Sequence, residues 1–84
     1  MRRYFFDLYN DLDATDHEGK ELPDLAAAID HAIAEAKEMI AASVTEHGRV
    51  EMAHRIVIRD EAGNEVGKVR FDEAIAFVRD GAPV

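Results

Sequence analysis

The segment from Gly19 to Leu25 constrains the fold most, because it separates two patterns that need different secondary structures. Before it, residues 3–9 form an aromatic-rich run, Arg-Tyr-Phe-Phe-Asp-Leu-Tyr, which is typical of a β-strand. After it, alanine and aliphatic residues recur at spacings of three and four, which predicts an amphipathic helix. Pro23 fits the first helical position, where the N–H has no partner inside the helix. The segment therefore predicts a turn from a strand into a long helix.

The predicted helix runs from Pro23 to about Glu46 or His47. Asp24 places negative charge in its first turn, and Gly48 follows its last residue as a left-handed cap. One stripe of the helix is apolar and is expected to face a core. It consists of Leu25, Ala28, Ile29, Ala32, Ile33, Ala36, Met39, Ile40, Ser43 and Val44. The charged residues mostly lie away from that stripe, and they are Asp30, Glu35, Lys37, Glu38 and Glu46.

The last third of the chain predicts a hairpin followed by a short helix. Residues 54–60 and 65–71 read as two strands, and Glu61-Ala62-Gly63-Asn64 reads as the turn between them. Asp72 is predicted to cap a helix over residues 73–79. Ile75 and Val78 are its expected contacts with the core, and Gly81 and Pro83 are expected to end it.

The predicted architecture is a single α+β domain over residues 1–84, in the order β(β)αββα. One long helix packs on a three- to four-stranded, mostly antiparallel sheet, and a short helix follows at the C-terminus. The second strand, residues 18–22, pairs back on the first, although Gly19 weakens it.

Strand alternation predicts which side chains share a face of the sheet. Tyr4, Phe6 and Leu8 lie on one side of the first strand, whose two sides are both apolar, so which side is buried is left open. If the side with Tyr4 faces the helix, Ile56, Ile58, Val69 and Phe71 point inward. The outer face is then a candidate interaction face that carries Arg3, Phe5, Tyr9, Arg55, Val57, Arg59, Lys68 and Arg70. Val66 is expected among them, and Asp7 is the one anion expected there.

These residues resemble a family of small bacterial proteins that share a domain of unknown function. The resemblance covers most of the chain and depends on the Arg-Tyr-Phe-Phe strand and on the run Gly-Lys-Glu-Leu-Pro-Asp-Leu at residues 19–25. It continues in Asp60-Glu61-Ala62-Gly63 and in the segment from Val69 to Ala74. It implies an α+β fold and carries no catalytic residue to this chain.

A second resemblance is weaker. HicB-type antitoxins also have an early strand, a Leu-Pro-Asp-Leu-like segment and a following helix rich in alanine and glutamate. The present sequence lacks their Pro-Gly-Cys step after that segment, and it shows no DNA-binding tail. The resemblance implies a similar style of fold.

Composition narrows the classes of function. The 84 residues include no cysteine, which excludes disulfides, thiolate zinc sites and thiol catalysis. The formal net charge of −8 disfavours binding to nucleic acid or to an anionic membrane. The sequence lacks an apolar run of roughly 20 residues and a signal-peptide pattern after Arg2 and Arg3, so we expect a cytoplasmic protein.

Two clusters are candidates for metal binding, although ordinary surface roles explain both. The acidic loop offers Asp11, Asp13, Asp16 and Glu18 to calcium, but their spacing departs from that of an EF-hand. His47 and His54 flank a loop and can combine with Glu46 or Glu51 at a transition metal. His47 is also explained as a favourable cation at the end of the helix. We predict no metal site and no cofactor.

Catalysis is not expected. Ser43 and Thr45 are the candidate nucleophiles, but the sequence suggests no base beside either of them. The favoured hypothesis is a non-enzymatic protein-interaction or oligomerisation module that binds itself or another protein. The alternative is a nucleic-acid-binding or antitoxin-like regulator that uses the basic sheet face.

Overall fold

The computed structural model describes residues 1–10, 13–76, 78–79 and 82–83. It confirms the predicted fold class, a long helix on a four-stranded antiparallel sheet with a short helix after it. The elements are β1 (Arg2–Tyr9), β2 (Lys20–Leu22), α1 (Leu25–His47), β3 (Arg55–Arg59), β4 (Glu65–Arg70), α2 (Phe71–Ala74), β5 (Val78–Arg79) and β6 (Ala82–Pro83).

The main sheet has the strand order β2-β1-β3-β4, with every pair antiparallel. Phe6 lies opposite Ile58, and Ile56 lies opposite Val69, so these side chains point to the same face. All four are buried, as is Tyr4 at the other end of β1. The side of β1 that carries Tyr4 therefore packs on α1, which resolves the orientation that the sequence left open.

Helix α1 begins two residues later than predicted. Asp24 is extended, with φ −160° and ψ 178°, and its carboxylate accepts a hydrogen bond of 2.9 Å from the N–H of Ala27. Asp24 is thus the N-cap, Leu25 is the first helical residue, and Pro23 precedes the cap. The prediction that Pro23 starts the helix was wrong, because the carboxylate at position 24 is itself the better cap. Gly48 ends the helix as predicted, with φ 69°.

The core lies between the sheet and one stripe of α1. Ala28, Ala32 and Ala36 are fully buried along that stripe, and Ile40 continues it. Because alanine side chains are short, the helix can lie close to the sheet. The core cluster consists of Tyr4, Phe6, Ala28, Ala32, Ala36, Ile40, Ile56, Ile58, Val69, Phe71 and Ala74.

The β3–β4 hairpin contains an irregularity that moves one predicted face residue. The pairing shifts after Ile58, so that Arg59 lies opposite Glu65. One residue is therefore extra on β4, which is the arrangement of a β-bulge. Val66 packs against the core cluster rather than standing on the outer face, and its predicted outward position was wrong.

The C-terminal helix is shorter and earlier than predicted. It covers only Phe71–Ala74 and ends at Ile75, whose backbone is extended at φ −132° and ψ 160°. Asp72 lies within its first turn, so the prediction of Asp72 as its cap was wrong; Arg70 occupies that position. Ile75 packs against the core as expected. Residues 78–79 pair with residues 82–83 as two short strands instead of continuing the helix, and the side chain of Val78 and the whole of Gly81 lie outside the described residues.

Candidate interaction surface

The register of the strands places the eight predicted residues on one face, which we call the outer sheet face. On neighbouring strands, Phe5 lies opposite Arg59 and Tyr9 lies opposite Arg55, so rings and guanidinium groups alternate. The face consists of Arg3, Phe5, Asp7 and Tyr9 on β1, Arg55, Val57 and Arg59 on β3, and Lys68 and Arg70 on β4. The sheet thus brings the predicted residues together on the side away from α1.

Asp7 lies at the centre of this face and is 4% exposed. The side chain of Arg59 donates to both of its carboxylate oxygens, from Nε to Oδ2 and from Nη2 to Oδ1, the latter at 3.1 Å. The backbone N–H of Asp16 donates to Oδ1 at 2.9 Å, and Nη2 of Arg59 also donates to the carbonyl of Asp16 at 3.1 Å. Strand, neighbouring strand and loop are therefore joined by one buried ion pair.

These contacts change the acidity of both carboxyl groups. The hydrogen bond from Arg59 holds the pKa of Asp7 below its ordinary value although burial raises it, and the same bond raises the pKa of Arg59. Burial also raises the pKa of Asp16. The backbone N–H groups of Gly19, Phe6 and Glu18 outweigh that effect, so the pKa of Asp16 is lowered overall. Both carboxylates are therefore charged at neutral pH.

The acidic loop closes the free edge of β1 where β2 does not reach. The carboxylate of Asp16 accepts from the N–H of Phe6 at 3.0 Å, and from the N–H groups of Glu18 and Gly19 at 3.0 and 3.1 Å. Leu8 and Ala14 exchange two backbone hydrogen bonds of 2.8 Å. The Asp16 carboxylate thus takes the place of a backbone partner in the ladder.

This use of Asp16 bears on the calcium candidate. Three backbone N–H groups already occupy the oxygens of Asp16, while Asp13 and Glu18 are exposed and Asp11 lies outside the described residues. Within residues 1–10 and 13–76, no group of three or more histidine or acidic side chains converges on a possible metal position.

Two arginines lie over the two aromatic rings of the outer sheet face. The guanidinium carbon of Arg59 is 5.1 Å from the ring centre of Phe5, and that of Arg55 is 4.7 Å from the ring centre of Tyr9. Both rings are half-buried rather than openly exposed. Val57, on the central part of β3, is buried, with 6% of its surface exposed. The sequence predicted open aromatics, and it could not show that the neighbouring arginines cover them.

The remaining cations of the face differ in what they contact. Arg3 lies 3.4 Å from the carboxylate of Glu21 and donates to the carbonyl of Glu18. Arg70 binds Asp72 through two hydrogen bonds of 3.0 and 3.2 Å. In the part of the chain that the structure describes, Arg55 and Lys68 have no carboxylate within ion-pair distance, and both side chains are exposed.

The other predicted candidates lie at the far end of α1. His47 and His54 line the same depression, where the ring of His54 meets the ring of Phe71 edge to face at 5.6 Å. His47 lies 3.8 Å from the carboxylate of Glu46. The hydroxyl of Ser43 donates to the carbonyl of Arg49 at 2.6 Å, which ties the end of the helix to the following loop.

The described fold is that of a small two-layer α+β domain with one open sheet face. The chain belongs to the family described as a domain of unknown function, DUF6894, which matches residues 3–72 and so spans the sheet, the long helix and the start of α2. Searches of curated proteins and of solved structures found no match. The resemblance to HicB-type antitoxins therefore stays a prediction. No helix in the described ranges combines the length and the apolar character that crossing a bilayer requires.

Proposed function

We propose that this protein is a non-enzymatic protein-interaction or oligomerisation module and that the outer sheet face is its contact surface. The observation that carries the proposal is the pair of exposed cations on neighbouring strands of this face, Arg55 and Lys68, with Arg55 over the half-buried ring of Tyr9. Arginine and tyrosine are enriched at the centres of protein interfaces, where an apolar body and a polar tip are both used.

The buried network supports a preformed surface. Asp7 and Arg59 hold β1, β3 and the loop that contains Asp16 in one arrangement before any partner arrives. A surface that is already ordered loses less conformational entropy when it binds, and this favours affinity. The rigid part of the face therefore serves as a platform for the exposed cations.

The candidate nucleophiles also support a non-enzymatic role. The Ser43 hydroxyl is engaged with the carbonyl of Arg49, and Thr45 lies exposed on the helix. A nucleophile needs a base within hydrogen-bonding distance, and the recorded contact of Ser43 is with a carbonyl that cannot accept its proton. The proposal includes a cytoplasmic location, with which a cysteine-free sequence is compatible.

Nucleic-acid binding is the second candidate, because a basic, aromatic-bearing sheet is how some modules bind single strands. Two observations place it behind protein binding. Arginines cover the rings of Phe5 and Tyr9, on which bases would have to stack. The net charge of −8 also repels a polyanion at long range.

The test compares complex formation by the wild type and by Phe5→Asp. Light scattering at micromolar concentration detects self-association, and a tagged protein in cell lysate detects other partners. We expect Phe5→Asp to abolish the complex, because a carboxylate beside Asp7 changes both the charge and the apolar character of the face. A monomer that retains no partner in the lysate would overturn the proposal.

Lys37→Glu is the matched control, since Lys37 is exposed on α1, away from the outer sheet face. It should leave any complex intact. Far-UV circular dichroism of Phe5→Asp shows whether its fold is retained. Arg55→Ala, which removes an exposed side chain, repeats the test should Phe5→Asp be unfolded.

A further inference from the structure

The cations of the outer sheet face fall into two groups. Arg59 is held by Asp7 and by the backbone of Asp16, so its charge is already balanced inside the fold. Arg55 and Lys68 are exposed and, among the described residues, have no carboxylate at ion-pair distance. The charge that this face can offer a partner is therefore concentrated at its β3–β4 side.

The register brings three cations close together on that side. Arg55 lies directly opposite Arg70, and Lys68 is two residues before Arg70 on the same face of β4. Strands in a sheet lie about 4.8 Å apart, and residues i and i+2 on a strand are separated by roughly 6.7 Å. Asp72 already binds Arg70, so the charges of Arg55 and Lys68 are the ones that remain for an external carboxylate.

Building on the proposed function, we propose that the partner is an acidic peptide segment of another protein, whose carboxylates bind Arg55 and Lys68. Charge complementarity supports this occupant.

A second copy of the chain fits the face less well. In a two-fold symmetric contact the same face of each copy meets the other, so the exposed cations Arg55 and Lys68 of one copy would approach those of its partner. A short acidic segment brings only the charges that meet the face. The peptide is thus the occupant that the charge distribution favours.

The experiment measures the fluorescence anisotropy of a labelled short peptide in which glutamate alternates with leucine. A peptide with glutamine in place of glutamate is the neutral probe, and a single-stranded oligonucleotide is the third. We expect binding of the acidic peptide that weakens with added salt and weakens roughly fivefold or more in Lys68→Glu and in Arg55→Glu.

Lys37→Glu is the matched control, because it makes the same charge change at an exposed lysine on α1. It should bind the acidic peptide as the wild type does. Lys68→Gln, which removes the charge without reversing it, should weaken binding less than Lys68→Glu, and circular dichroism shows that each variant is folded.

Three results would overturn the inference: equal binding of the neutral peptide, equal weakening by Lys37→Glu, or binding of the oligonucleotide alone. The light-scattering test separates this failure from failure of the proposed function. If Phe5→Asp abolishes a complex but the acidic peptide does not bind, only the proposal of an acidic partner is ruled out. Absence of both a complex and peptide binding removes both proposals.

Discussion

At Asp7 a nearly buried carboxylate accepts hydrogen bonds from the side chain of Arg59 and from the backbone of Asp16. Arg59 balances the charge of Asp7, and the backbone N–H of Asp16 helps to fix the position of its carboxylate. A carboxylate alone on the apolar face of a small domain would be costly, because an unpaired buried charge loses its hydration. The network therefore explains why an acid lies between two aromatic residues on β1.

Replacing Asp7 by alanine should lower the free energy of unfolding by about 3 kcal/mol, since Arg59 is then left with an unpaired charge in a partly buried place. Asp72→Ala is the matched control. It removes the exposed pair with Arg70, whose side chains are 47% and 41% exposed, and it should cost below about 1 kcal/mol. Urea unfolding monitored by circular dichroism measures both. Equal losses in the two variants would contradict the structural role of Asp7.

The sequence could predict that Asp7 lies on the outer sheet face, because strand alternation alone determines the side of each residue. It could not predict that Asp7 is buried. That outcome needs the register between β1 and β3, which places Arg59 within reach, and the return of the loop at Asp16. Both are long-range features that local patterns do not contain. The sequence therefore overestimated the basic character of the face, where Arg59 pairs with Asp7, Arg3 with Glu21 and Arg70 with Asp72.

Among the elements, the turn into β2 depends on one glycine. Gly19 has φ +71°, and a Cβ atom there would lie 2.9 Å from the carbonyl oxygen of Tyr4 and 2.9 Å from Cγ of Arg3. Gly48 after α1 has a similar φ of +69°, but a Cβ atom would meet no described atom within 4 Å. The two glycines thus share a left-handed backbone and differ in the space around them.

This difference gives a paired prediction. Gly48→Ala should cost about 1–2 kcal/mol, which is the strain of the left-handed conformation alone. Gly19→Ala should cost at least about 1 kcal/mol more, because the added methyl group also collides with backbone at Tyr4. Thermal unfolding of both variants in one buffer measures the difference. Equal losses would show that the contact around Gly19 relaxes freely.

The order and type of the main elements could be predicted from the sequence, because periodicity reports on them directly. The structure differs from the prediction where another residue or a long-range contact outweighs the local sequence pattern. Pro23 can occupy a first helical position, but Asp24 caps the helix, so its first residue is Leu25, two residues later. The segment after β4 has helical spacing, yet only Phe71–Ala74 is helical. The bulge at Val66 depends on how the hairpin pairs, which the turn residues alone do not specify.

For the whole molecule, the charges are divided between two sides. The exposed side of α1 carries Asp30, Glu38 and Glu46, whereas the outer sheet face carries the exposed cations Arg55, Lys68 and Arg70. Asp7 and Asp16 belong to neither group, because their charges are used inside the fold. The net charge of −8 therefore describes neither side of the molecule well.

The folded state should lose stability in acid, because the carboxylates of Asp7 and Asp16 must be charged to make their contacts. The pKa values of Asp7 and Asp16 are lowered in the folded state, so the unfolded chain takes up protons first as the pH falls. The stability they contribute is fully present above the unfolded pKa of about 3.9 and is lost as the pH falls through the folded pKa values. Urea midpoints measured from neutral pH down to about pH 2 test this.

Asp7→Asn should make that decline shallower, since position 7 no longer titrates. Asp13→Asn is the control, because Asp13 is an exposed aspartate in the acidic loop that follows β1. It should leave the slope close to that of the wild type. An unchanged slope in Asp7→Asn would contradict the assignment of the acid sensitivity to this carboxyl group.

The loop that closes the edge of β1 also affects how the protein can aggregate. An open strand edge is a template on which further chains add as new strands. Along β1 that template is occupied by β2, by the Asp16 carboxylate and by Ala14. In the described sheet, β4 is the longer of the two outer strands, and its bulge interrupts the regular ladder that an added strand would need. Fibril growth along β1 should therefore require local opening of the acidic loop first.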